Sequence, residues 1–141
     1  MKHKWAIFLL GLFIGFSSCD DEPFDYGYVN FIVQPDDVRY FNLNMGNRGW
    51  EYFVGGYSGV VVFRRSAFEF IAFERSCALP DCHGITEVDE TNNVLLVCPK
   101  CHSKYLYVDG TPLEGSAAKR TLYQYCTYFD GVTLSVYNCP Q

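Results

Sequence analysis

Four cysteines and two histidines lie between Cys77 and His102, the densest concentration of soft metal ligands in this 141-residue chain. The first group reads "CALPDCHG" from Cys77 to Gly84, and the second "CPKCHSKY" from Cys98 to Tyr105. Fifteen residues separate a C-x4-C pair from a C-x2-C pair, a spacing that can place four sulfurs around one centre. Four thiolates suit a single zinc or iron ion equally. The expected ligands are therefore Cys77, Cys82, Cys98 and Cys101.

The residues around these loops resemble a Rieske-type iron–sulfur domain, whose loops read C-x-H and C-P-x-H-G-S-x-[FY]. The likeness extends over roughly Tyr57 to Tyr137 and is nearest to small Rieske-like lipoproteins of the Bacteroidota type. It implies an all-β fold, a small antiparallel sandwich or barrel carrying a two-loop, rubredoxin-like metal-binding subdomain. It also implies that Cys77 and Cys98 match the two cysteine ligands of a [2Fe–2S] cluster, and that Ser103 and Tyr105 donate hydrogen bonds to sulfur. Leu79 and Cys101 stand where that family has histidine, and His102 where it has glycine. Cys82 can replace the missing first-loop ligand, giving the four-cysteine set. A slipped set, Cys77, His83, Cys98 and His102, restores two thiolates and two imidazoles. A degenerate fold is the third alternative, with the pocket simply empty or with Cys77–Cys98 or Cys82–Cys101 oxidised to disulfides, because exported thiols tend to oxidise. Four thiolates on a two-iron cluster predict a potential near about −400 mV, against about −150 to +300 mV with imidazole ligands.

Strands must position these loops. Runs rich in aromatic and β-branched residues cover Tyr28 to Val33, Trp50 to Val54, Gly59 to Phe63 and Phe68 to Glu74, with a weaker one over Val38 to Leu43. Arg64-Arg65-Ser66 reads as an exposed, solvated turn between the third and fourth of these strong runs. Ile85 to Val88 and Val94 to Val97 flank a polar turn and deliver Cys98 beside the first loop. Tyr105 to Val108 continues beyond it. Leu122 to Phe129 and Val132 to Tyr137 flank Asp130-Gly131, which predicts a two-residue type I′ hairpin. That register sets Cys126 and Cys139 four positions apart, on the order of 13 Å at strand rise, beyond disulfide reach. No stretch sustains a helical period, and none repeats.

Met1 to Ser18 has the lysines, apolar run and small residues of an export signal, and Ser17-Ser18-Cys19 resembles a lipobox. Cys19 is thus the expected lipidation site, residues 19–27 an acidic tether, and residues 28–141 the folded domain. Acyl chains on Cys19 would anchor the protein to a cell-envelope membrane, the outer membrane or the cell surface. Removal of the signal takes two lysines with it and moves the formal charge from −5 to −7. An acidic domain without a basic run argues against a nucleic-acid partner. Neither a nucleophile elbow nor an HExxH pair is present, which leaves two classes. One binds metal and exchanges electrons with a redox partner protein; the other keeps the fold for structure or protein contact.

Overall fold

The computed structural model describes residues 26–46 and 48–140. The export signal, Cys19 and most of the acidic tether lie outside the described residues. Nine strands follow one another among the described residues: β1 Asn30–Val33, β2 Trp50–Phe53, β3 Val60–Arg64, β4 Phe70–Glu74, β5 Glu87–Val88, β6 Leu95–Val97, β7 Lys104–Leu106, β8 Gln124–Phe129 and β9 Leu134–Tyr137. They form an antiparallel six-stranded sheet in the order β1-β9-β8-β4-β3-β2 and a three-stranded sheet β5-β6-β7. The chain is all-β, as the residue pattern predicts; the described residues contain no α-helix.

The larger sheet curls on itself. Its outermost strands, β1 and β2, approach closely enough for Phe31 and Phe53 to stack, with ring centroids 5.0 Å apart. Val60, Val62, Phe70, Ala72, Tyr125 and Val136 fill the interior of this curl. The alternate residues Val61, Phe63, Ile71 and Phe73 point the other way and pack on Val88, Leu96, Tyr105 and Leu122, which hold the small sheet. Burial on both faces explains why β3 and β4 read as continuous apolar runs rather than alternating ones. This shared hairpin fixes the cysteine loops against the barrel.

Three sequence expectations change. Val38 to Leu43 is not a strand: Val38–Tyr40 forms a short 3-10 turn, capped by the Asp37 carboxylate accepting from the Arg39 N–H at 2.9 Å. Val38 and Phe41 are exposed while Tyr40 and Leu43 pack on the core, a spacing of three that suits a turn and not the alternation of a strand. Arg64 is not a solvated turn residue but is buried. Its guanidinium donates to Asp36 at 2.6 Å and to the Ala67 carbonyl at 3.2 Å, over the ring of Phe70.

The third correction concerns the last hairpin. Phe129 pairs with Leu134, not Val132, so the connection has four residues instead of two. Asp130 decides this: its carboxylate accepts from the N–H groups of Val132 and Thr133 and from the Thr133 hydroxyl, closing a wider loop. The pairing shifts by two positions, and Cys126 faces Tyr137. The chain leaves β9 just beyond Tyr137, and Cys139 swings back to form a disulfide with Cys126, their Cα atoms 5.0 Å apart. Both cysteines, expected to be unpaired, form a staple between β8 and the C-terminal tail.

Candidate metal centre

Each cysteine loop is closed at its neck by backbone pairing. The first leaves β4 at Glu74 and returns through a bridge between Ser76 and Ile85, with the Cys77 N–H donating to the Gly84 carbonyl at 2.9 Å. The second is the tip of the β6–β7 hairpin, where the Cys98 N–H donates to the Ser103 carbonyl at 2.9 Å. Glu74 secures the first neck from below. Its fully buried carboxylate accepts from the N–H groups of Tyr57, Ser58 and Ser76 at 2.8 to 2.9 Å and from the Tyr125 hydroxyl at 2.8 Å. These donors, with the Ser76 hydroxyl at 3.0 Å, offset the several kcal/mol that burying a carboxylate costs.

The loops bring Cys77, Cys82, Cys98 and Cys101 together, their sulfurs all within 4.8 Å of one another. The nearest approaches cross between loops: Cys77 to Cys101 at 3.5 Å and Cys82 to Cys98 at 3.7 Å. All four are free thiols, so neither disulfide pairing considered from the sequence is formed. Cys82 and Cys98 are buried, whereas Cys77 and Cys101 reach toward solvent.

Hydrogen-bond donors surround the sulfurs. The Tyr105 hydroxyl lies 3.2 Å from Cys77 Sγ, and Ser103 Oγ 3.2 Å from Cys101 Sγ. Backbone N–H groups of Leu79, Gly84 and Ser103 point at Cys77, Cys82 and Cys101 respectively, each two residues beyond its cysteine. The consequences differ by site. Burial pushes the Cys77 thiol up to about 12 against the Tyr105 hydroxyl and the Leu79 N–H. Burial also opposes ionisation of Cys101, but the two Ser103 donors and its neighbouring thiols outweigh it and bring that group down to about 6. Donors aimed at sulfur favour the charged form, which is the form that binds metal.

His83 and His102 do not join the sulfurs, so the structure does not assemble the slipped set. Both histidines are exposed, with φ of 49° and 59°, in the left-handed region. Each sits between a cysteine and the N–H that turns back to it, and so serves the loop through its backbone. Leu79 packs half-buried on the apolar cluster under the loops. Sequence reasoning missed Gly84 and Glu74. A Cβ at Gly84 would collide with Cys98 Sγ, so the glycine lets the loops close to sulfur contact. The "HG" after Cys82 was the available signal.

No family model matches the chain, and no curated protein does. Among solved structures it is similar to the ferredoxin of carbazole 1,9a-dioxygenase from Nocardioides aromaticivorans IC177. That likeness has 15% identity and a TM-score of 0.50, and covers 80% of this chain and 99% of that one. The fold is Rieske-like. A second similar structure, described as a nitrite reductase NADPH small-subunit oxidoreductase, has 16% identity and a TM-score of 0.46, over 77% of this chain and 97% of that one.

A Rieske-like domain implies a two-iron cluster on two cysteines and two histidines. The residues present do not fit that ligand set. The metal-ligating side chains that the described residues bring together are four cysteines with no imidazole among them, and both nearby histidines are exposed. What the Rieske-like loops do present is a set of four thiols that could bind a metal. A cleft of about 960 Å³, walled by Tyr26, Tyr57, Leu79, Pro80 and Tyr123, opens beside Cys77.

Proposed function

We propose that this chain is an exported, lipid-anchored metal-binding protein whose Rieske-like domain holds its metal through Cys77, Cys82, Cys98 and Cys101. The observation that carries this reading is the convergence of four sulfurs within 4.8 Å, with hydroxyl and backbone donors aimed at three of them. Such an arrangement costs free energy in an empty site, because it crowds thiols that repel once ionised. It is repaid when a cation takes up their charge. With iron bound, the half-exposed sulfurs of Cys77 and Cys101 give an electron a short path to a redox partner protein at the surface. The disulfide between Cys126 and Cys139 supports export, since such bonds persist in oxidising compartments.

Anaerobic purification followed by elemental analysis tests the metal. Substituting Cys77→Ser or Cys98→Ser should empty the site. Fewer than about 0.1 metal ions per chain in every preparation, with iron and zinc supplied, would overturn the reading in favour of an empty fold. The tether is tested separately. Cys19→Ala should release a soluble exported form, and membrane retention of that variant would refute lipid anchoring.

A further inference from the structure

We propose that the four cysteines enclose one tetrahedral metal ion, zinc or iron, and not the two-iron cluster that the fold would suggest; this rests on the metal-binding reading above. The geometry of the sulfurs carries the argument. A tetrahedral ion with metal–sulfur bonds of ~2.3 Å requires ligand sulfurs ~3.8 Å apart. The structure places Cys77 and Cys101 at 3.5 Å, Cys82 and Cys98 at 3.7 Å, and every pair within 4.8 Å. A two-iron cluster makes a different demand. Its terminal ligands fall into two pairs, and the iron atoms with their bridging sulfides stand between the pairs. Sulfurs that are all mutual neighbours leave no room for that core.

The surrounding residues point the same way. Four cysteines supply the full ligand set of either centre, all four on one ion or two on each iron of a cluster, and among the described residues no further ligand joins the sulfurs. Leu79 is packed into the apolar cluster beneath the loops, and His83 and His102 are exposed. Gly84 brings the first loop so near Cys98 that even a methyl group there would strike the sulfur. Loops separated by a cluster would leave space at that point. Charge is consistent as well. Four thiolates around a dication carry a net charge of about −2, and the donors from Leu79, Gly84, Ser103 and Tyr105 are spread over the ligand sulfurs themselves. With four protein ligands the shell is closed, so the ion keeps no position for a substrate. The site holds its loops together and, with iron, exchanges single electrons.

The test uses the full-length protein, purified anaerobically and reconstituted in parallel with zinc alone, ferrous iron alone, and ferrous iron with sulfide. Metal and acid-labile sulfide are counted in each. We expect about one ion per chain in all three samples, with no sulfide retained. Cobalt substitution should give the intense visible bands of a tetrahedral thiolate site, and these should vanish in Cys82→Ser. About two irons and two sulfides per chain would overturn the single-ion inference while leaving the metal-binding reading intact. No metal in any sample would instead overturn that reading, and the inference with it.

Discussion

Ser103 and Tyr105 hold the two half-exposed cysteines by the same device. Ser103 Oγ accepts the Ala118 N–H at 3.0 Å and lies 3.2 Å from Cys101 Sγ. The Tyr105 oxygen accepts the Ala78 N–H at 3.2 Å and lies 3.2 Å from Cys77 Sγ. In each case a backbone donor takes one lone pair of the oxygen, and once the sulfur is a thiolate it can only accept, so the hydroxyl hydrogen bonds to it. Each hydroxyl therefore stabilises a thiolate and fixes its rotamer.

Removing either hydroxyl should weaken metal binding without unfolding the domain. Ser103→Ala and Tyr105→Phe are each expected to lower affinity by about 10- to 100-fold, the usual effect of losing a partner that orients a ligand. Competition with a chromophoric chelator at neutral pH measures this. Unchanged affinity in both variants would show that the hydroxyls act on packing alone.

Gly84→Ala should be more damaging than its size suggests. The added methyl meets Cys98 Sγ and has Cys82 Sγ and Lys100 Cβ as its next neighbours, so the two loops must part. Loss of bound metal is expected while the far-ultraviolet circular dichroism of the β domain is retained. Full metal occupancy in this variant would mean that the loops have slack that their contacts do not reveal.

The Cys126–Cys139 disulfide and the four thiols should be separable. Cys126→Ser is expected to lower stability by about 3 kcal/mol, the scale for closing a loop of this length. Metal content should not change, because the pair ties β8 to the C-terminal tail, outside the four-sulfur group. Denaturant melts and elemental analysis on one preparation read both. A fall in metal content alone would contradict the assignment.

Alkaline conditions should unfold the protein through its buried tyrosines. Burial, with the Glu74 carboxylate as acceptor, raises Tyr125 above its ordinary 10.0. Below pH 10 the phenol is neutral in both folded and unfolded chains, so it contributes no slope there. As pH rises above 10, the unfolded chain releases the proton and the folded one keeps it, and stability falls toward the folded value. Tyr105 is raised likewise, by burial and by Cys77. Tyr125→Phe should flatten the loss above pH 10 although it forfeits a hydrogen bond to Glu74 at neutral pH. An unchanged alkaline slope in both Tyr125→Phe and Tyr105→Phe would sink the explanation.

The cysteine spacing alone determined that two loops would present four sulfurs, because ligand chemistry depends on residue type and on short local turns. Strand composition likewise determined an all-β chain, since the runs at β3 and β4 can be buried on two faces only inside a layered fold. The sequence could not determine which ligands meet. His83 and His102 are as near in sequence as the cysteines, and only the left-handed backbone at each turns the imidazoles outward while the following N–H returns to sulfur. Nor could it place Cys139, because a two-residue and a four-residue hairpin differ through the bonds Asp130 makes to Val132 and Thr133. Local patterns specify the elements. Register and loop closure depend on contacts between residues that the sequence does not mark as partners, and at Cys77 and Cys101 those contacts bring sulfurs from separate loops to 3.5 Å.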